Sequence, residues 1–390
     1  MRILGMISGT SHDGIDAAVV DFTFDRGALT GIVYDRKSTP YSAELRARLI
    51  GALPPAKTTL AEVCELDTLI GQAFADAATE AIDRGGALDL IVSHGQTVFH
   101  WVDSGHALGT LQIGQPAWIA ERTGTPVVSD VRIRDITAGG HGAPLVSFLD
   151  ALILAGQPGT PAALNLGGIS NMTVLRGPEG LYAYDIGPAN ALIDAVVSQT
   201  GAHPLGFDQD GLIAASGTVD EKLLAELLDD PYYCLPAPKS TGKELFHGSY
   251  VRDAIARTHS APTTADLLAT LTALTVRSVA RDVRAAGVDL LVVSGGGCRN
   301  PQMIGGLRDA LPGVRLVLSD EFGAPADDKE AIAFALLGWC TAHGVPGSNP
   351  AGTGAREARV LGTITPGRGP LVLPAPLNEP LRSLTLTLSD

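Results

Sequence analysis

Apolar positions along this chain alternate between two periods. Ile3-Leu4 and Ala17-Ala18-Val19-Val20 are short strand-like runs flanking the polar segment Ile7-Ser8-Gly9-Thr10-Ser11-His12-Asp13-Gly14-Ile15-Asp16. Ala163-Leu164 and Thr173-Val174-Leu175 flank Leu166-Gly167-Gly168-Ile169-Ser170-Asn171-Met172 in the same way. The pattern predicts two hairpins. Between them lies a helical repeat, Val63, Leu66, Ile70, Ala73, Ala77 and Ala81. It opens at the capping pair Thr59 and Glu62 and stops at Gly85-Gly86. A strand at 88–92, a short helix near 117–122 and a strand at 126–128 follow. Further helices are predicted from Asn190, over 265–286 and from about Asp327, with strands at 290–293 and 314–318. Alternating strands and helices imply an α/β chain with a parallel component. The first domain is expected to close near Asp130, and the Gly-rich run Ala138 to Pro144 to open the second.

A length of 390 residues suits two domains. Apolar residues make up 45% and charged residues 18%, a globular balance. The net charge of −14, with no basic stripe, argues against a nucleic-acid surface. No stretch is long and apolar enough to span a bilayer, so membrane partners are not expected. The four cysteines are far apart and form no CxxC pair, which fits a cytoplasmic location better than a disulfide framework.

Two Gly/Ser turns that expose backbone N–H groups are suited to phosphate. Two unrelated tight turns would read the same. Ser294-Gly295-Gly296-Gly297-Cys298-Arg299-Asn300 adds a glycine run between a strand and a helix start, where a nucleotide can lie close. Neither the dinucleotide fingerprint nor a P-loop is present. Asp185, before Gly187-Pro188, is the carboxylate best placed at a strand tip to orient or deprotonate a nucleophile, although turn aspartates are the commoner case. Asp13 and Asp16 are in position to reach a magnesium ion or to fix the first turn. His94 with Gln96, and Gln112, flank the expected cleft face. Arg132, Arg134 and Asp135 suit ion pairs, or a cation that grips a substrate carboxylate.

Taken in order, these blocks resemble the anhydro-N-acetylmuramic acid kinases of the actin/hexokinase/Hsp70-like (ASKHA) fold group. The resemblance rests on Ser8 to Ser11 with Asp13, Gly14 and Asp16; Ser93 to Thr97; Gln112 to Gly114; Ile119 to Gly124; Arg134-Asp135 with Gly139-Gly140; and Asn165 to Ile169. It continues through Pro238 to Glu244, Gly295 to Gly297 with Asn300, and Glu330-Ala331. It implies a two-domain fold with a duplicated βαβ core and an interdomain ATP and sugar cleft. The expected division is 1–130 plus about 346–390, and 131–345.

The implied reaction uses ATP, Mg²⁺ and water to convert 1,6-anhydro-N-acetylmuramic acid to N-acetylmuramic acid 6-phosphate, in a homodimer that recycles cell-wall sugar. Asp185 would be the base. ATP would meet Gly9 to Asp16, Gly167, Gly168, Gly295 to Gly297 and Asn300; the sugar would meet His94, Gln96, Gln112, Arg134, Asn190 and Glu330; and Asp13 would face the metal. Ile186 and Ala189 depart from the family's Thr-Gly-Pro-Gly-Asn segment, and that departure bears on the sugar pocket. Another anhydro sugar such as levoglucosan, or a non-catalytic ATP or sugar sensor, are the alternatives.

Overall fold

The computed structural model describes residues 1–9, 11–177, 180–237, 239–242 and 245–389. Thr10, Pro238, Lys243 and Glu244, which the sequence reading used, lie outside the described residues. The chain divides into two compact units. One comprises 1–155, 322–324 and 328–390; the other comprises 156–321 and 325–327.

In the first unit, β1 (Arg2–Ser8), β2 (Gly14–Asp25) and β3 (Ala28–Pro40) form an antiparallel meander. β4 (Leu90–Asp103) lies parallel to β1 on its other side; β5 (His106–Ile113) folds back on β4. β6 (Val127–Ser129) extends the parallel part.

The second unit repeats the plan. β7 (Pro161–Leu166), β8 (Ile169–Leu175) and β9 (Leu181–Pro188) are the meander, and β10 (Leu290–Ser294) and β11 (Arg315–Leu318) the parallel strands. β12 (Thr363–Thr365) and β13 (Ser383–Leu388) belong to the first sheet, on β6 and β3. The strand orders β3-β2-β1-β4-β6 and β9-β8-β7-β10-β11 are the same, so the duplicated core is present.

The helical period at Val63 to Ala81 becomes the helix Leu60–Gly85, with Leu66, Ile70 and Phe74 buried. Thr59 Oγ1 accepts from Glu62 N, but Glu62 turns its carboxylate to Arg48 instead of closing the box. A complete capping box, Thr263 with Asp266, starts the helix Thr264–Ala286.

The division differs from the expected one in two places. Residues 131–155 and the helix Lys329–Ala342 pack with the first sheet, not the second. The Gly-rich run does not open the second unit. Buried Asp135 takes Gly142 N–H at 2.8 Å and the Thr353 hydroxyl at 2.8 Å, pinning the run inside the first unit. The helix Lys329–Ala342 lies on β1 at Gly5, where a Cβ would sit 2.0 Å from the Ala331 carbonyl oxygen and 2.5 Å from Ala335 N. Its buried face, including Phe334 and Trp339, fills the core beneath.

Gly5→Ala is expected to cost about 1–3 kcal/mol or more in urea unfolding, because helix backbone must shift. Gly51→Ala, in the helix Ala43–Ala52 with nothing within 4 Å of the new Cβ, is expected to gain about 0.5–1 kcal/mol. Equal effects would contradict the packing described.

Candidate active site

In sheets of this kind ligands collect beyond the carboxyl ends of the parallel strands, where the connections diverge. In the first unit the central strand β1 has antiparallel β2 on one side and parallel β4 on the other. Ser8 ends β1, fully buried, with Oγ 2.7 Å from the Gly14 carbonyl oxygen and 2.6 Å from Gln96 Oε1. Gln96 Nε2 donates to the Gly9 carbonyl at 3.2 Å. These bonds anchor the base of the turn. Among the described residues, a Cβ on Gly9 would meet only Ser11 Oγ, at 3.9 Å, so an anion can approach the Gly9 backbone closely. Exposed Asp13 accepts the Ser11 hydroxyl at 2.6 Å. His12 takes a positive φ of 55°. Ile15 was expected among the phosphate contacts, but its side chain is buried in the core with Leu4 and Met6. No group of three potential metal ligands occurs among the described residues.

The ends of β4 and β6 place a second set. His94 is buried at 3% exposure, and its Nδ1 lies 2.9 Å from the Gly95 carbonyl oxygen. A carbonyl accepts only, so Nδ1 carries the proton and Nε2 is the acceptor that takes Arg132 Nε–H at 2.7 Å. Burial first, then the Arg132 charge, hold this imidazole well below its ordinary value. Arg132 also donates to the Gly142 carbonyl at 2.6 Å and stands 6.0 Å from the Phe334 ring centre. Arg134, expected to meet the sugar, is exposed on the short helix Ile133–Thr137. Arg132 is the held cation. It was visible in the sequence as one of two neighbouring arginines, but spacing alone gave no reason to prefer it.

Glu330 enters from the first turn of the helix Lys329–Ala342, whose start is fixed by the nearly buried pair Lys329–Asp150 at 2.6 Å. The Glu330 side chain is open to solvent, yet protein crowds its carboxyl. Desolvation raises it above the usual glutamate value; the Arg132 charge opposes this and Asp16 adds to it. Asp16, Arg132 and Glu330 thus interact electrostatically within one unit. Gln112 donates to Thr97 Oγ1 and Thr110 Oγ1, and its Oε1 is buried without a hydrogen-bond partner among the described residues. A ligand donor there would relieve that cost.

In the second unit the turn Gly167-Gly168 joins β7 to β8, the position equivalent to the first turn. Its carbonyls accept from Ala189 N, Asn190 N and Ala191 N at 2.9–3.0 Å, so the start of the helix Asn190–Thr200 is tied to the turn. Asn190 Nδ2 donates to the Leu166 carbonyl at 3.1 Å. Gly295 and Gly297 are glycine because Leu166 and Asn165 leave no room for a Cβ, whereas Gly296 has only Asn190 Nδ2 at 3.8 Å. Asn300, expected to contact nucleotide, is 6% exposed and caps the helix Pro301–Ala310 through Gln302 N and Met303 N. Its Oδ1 accepts both cap bonds. Ile186 and Ala189, the two departures, are both buried in the unit's own core.

Asp185 lies near the end of β9, half-buried. Its Oδ2 accepts the Ser240 hydroxyl and Thr241 N–H, each at 3.0 Å. Its own N–H donates to the Lys239 carbonyl at 2.9 Å, and its carbonyl accepts Tyr232 O–H at 2.6 Å. Tyr232 and the strap formed by Lys239, Ser240 and Thr241 therefore fix both the backbone and the carboxylate of Asp185. Ser240 and Thr241 lie in the segment that carries the family resemblance, but the sequence gives no sign that they hold Asp185. A strap pairing with an edge strand leaves no periodic signal.

Over residues 1–367 the chain matches the family model for anhydro-N-acetylmuramic acid kinase. A protein of that name from Streptomyces coelicolor is 54% identical over 386 residues, 98% of each chain. Another from Rhodococcus erythropolis is 53% identical over 94% of each chain. One from Gloeobacter violaceus is 43% identical, over 93% of this chain and 98% of that one.

His94, kept neutral by the fold, has a proton uptake that is displaced to lower pH than in the unfolded chain. Below its ordinary value near 6.5 the unfolded state binds more protons, so stability falls as pH falls. The limiting slope is about 1.4 kcal/mol per pH unit. Urea unfolding between pH 7 and 5.5 should show a shallower loss for His94→Gln than for the parent chain. Identical slopes would contradict the neutral tautomer.

Proposed function

This chain belongs to the anhydro-N-acetylmuramic acid kinase family, and we propose that it opens the 1,6-anhydro ring of N-acetylmuramic acid with water while transferring the γ-phosphoryl group of ATP to O6. The observation that carries this reading is Asp185. It is a carboxylate at the end of a strand, oriented by Ser240 and Thr241 and carried by a strap that also fixes its backbone.

The chemistry needs one base and no separate acid. Asp185 takes a proton from water as the water oxygen bonds to the anomeric carbon. The bond from that carbon to O6 breaks, O6 bonds to the γ-phosphorus, and the bond from γ-phosphorus to the β-bridging oxygen breaks, leaving ADP. Inverting hydrolysis usually requires an acid for the departing oxygen. Here phosphorus takes that place. The phosphoryl half calls mainly for alignment and charge neutralisation.

The turn at Gly9 and the Gly167-Gly168 and Gly296 backbones suit the polyphosphate. Ile15 and Asn300 serve by holding backbone in place. Asp13, exposed at the turn tip, is the residue that would hold Mg²⁺, through water. When bound, that ion neutralises phosphate charge. For the sugar, Arg132 offers a guanidinium to the lactyl carboxylate, and Glu330, Gln112 and Asn190 offer polar partners. His94 acts through Arg132, and Gln96 through Ser8 and Gly9. The lactyl-arginine pairing favours the muramic sugar over levoglucosan, which has no carboxylate. The Ile186 and Ala189 departures are taken up by core packing and leave this preference in place. The family resemblance supports a homodimer and a cytoplasmic role in cell-wall sugar recycling. No helix among the described residues is long and apolar enough to cross a membrane.

Asp185→Asn is expected to unfold at the same urea midpoint and to release ADP in the presence of the anhydro sugar about 10²–10⁴-fold more slowly. Near-normal turnover would remove Asp185 from the role. ATP binding without sugar-dependent ADP release in the parent chain would favour the sensor.

A further inference from the structure

A short segment after β3 closes on the turn between Gly9 and Asp16. β3 stays paired with β2 until Pro40 stands opposite Gly14. Gly14 has no room for a side chain: a Cβ there would lie 2.4 Å from the Thr39 carbonyl oxygen and 2.8 Å from Pro40 Cα. Tyr41 N–H donates to the Asp13 carbonyl at 2.9 Å. Ser42 Oγ then accepts Leu45 N–H at 3.1 Å and starts the helix Ala43–Ala52. The sheet therefore sets the first turn of this helix beside the Gly-Ser turn. Arg46 stands there, and its Nε–H donates to the His12 carbonyl at 3.1 Å. The positive φ of His12, 55°, is costly for a residue with a side chain, and the bond to its carbonyl helps hold it.

The two arginines of this helix are used differently. Arg48 is half-buried and gives its guanidinium to Glu62 at 3.0 Å and to Glu65 at 2.6 Å. Arg46 is exposed and makes no ion pair, and its two terminal amino groups have no partner among the described residues. Held through Nε, the guanidinium keeps those groups as a planar fork of donors, which matches two oxygens of one phosphate. Charge points to the same ligand. The net charge of the chain is −14, and Asp13 and Asp16 lie in the turn segment itself. Backbone N–H groups donate to a polyphosphate but bring no net positive charge. A fixed guanidinium brings it where phosphoryl transfer calls for it.

We propose that Arg46 is a phosphate-binding residue of the nucleotide site, with its amino groups on the polyphosphate of ATP and its Nε on the His12 carbonyl. The assignment rests on the reading of this turn as phosphate-binding. It gives the first unit one guanidinium for each anion: Arg46 for the nucleotide, Arg132 for the carboxylate of the sugar.

The test separates the charge of Arg46 from its bond to His12. Arg46→Gln keeps an N–H donor and loses the charge; Arg46→Lys keeps the charge and loses the fork. Calorimetric titration of the full chain with ATP and Mg²⁺, and separately with AMP, is done without sugar, so Asp185 plays no part in the readout. Arg46→Gln is expected to bind ATP about tenfold or more weakly and AMP within about twofold of the parent. Arg46→Lys should recover part of the ATP affinity. Arg48→Gln, the control on the same helix, should bind ATP as the parent does. Added NaCl should weaken ATP binding more steeply in the parent than in Arg46→Gln, because it screens the charge that the variant lacks. Urea midpoints of the Arg46 variants should match the parent, since the side chain is exposed. ATP affinity unchanged in Arg46→Gln overturns the assignment. So does an equal loss in Arg46→Gln and Arg46→Lys, or the same salt dependence in Arg46→Gln and the parent, since either leaves only the support of the turn. A parent chain that binds no ATP overturns the reading of the turn, and the assignment falls with it.

Discussion

Close packing against glycine, at the central strand of each sheet, is the constraint on which the candidate residues of each unit depend. In the first unit it is Gly5, against which the helix Lys329–Ala342 rests its own main chain. In the second it is Gly295 and Gly297, packed on Leu166 and Asn165. A side chain at any of these positions would push away the element that delivers function: the first turn carrying Glu330, or the glycine run beside the Gly167-Gly168 turn. Glycine at such places costs conformational entropy. The cost is offset by a geometry that no larger residue permits.

On that scaffold polar groups fall into two kinds. Some are spent on the fold. Asp135 pins the Gly-rich run, Asn300 caps a helix and Ser8 ties β1 to β4. Others retain capacity. Arg132 is held through Nε and one amino group by His94 and Gly142, and a guanidinium so fixed can meet a carboxylate with little further ordering. Asp185 is similar: two hydrogen bonds hold one oxygen of its carboxylate in place. Preorganisation of this kind is where a catalyst spends folding energy.

How much of this was legible in the sequence follows from the range of the forces. Local period and caps disclosed the helices Leu60–Gly85 and Thr264–Ala286 and both hairpins, since neighbours in the chain determine them. The unit boundary was not legible. The helix Lys329–Ala342 is apolar and buried almost all round, so its own sequence does not say which sheet it meets; Gly5, far away in sequence, gives it its seat on the first sheet. The same limit applied to the site. Asp185 and the turns stood out by residue type at strand ends. Preference for Arg132 over Arg134 depended on a buried histidine tautomer 38 positions away. Ile15 and Asn300 looked like ligand contacts because they sit inside the right motifs, yet core packing and a helix cap claim their side chains.

In the proposed reaction a carboxylate held in place delivers water to the sugar while phosphorus captures the departing oxygen. Turnover in ¹⁸O-labelled water, quenched early and resolved by mass spectrometry, is the decisive measurement. One heavy oxygen is expected on the anomeric carbon of the phosphosugar and none in its phosphate. Heavy oxygen in the phosphate, or an unlabelled anomeric position, would contradict it.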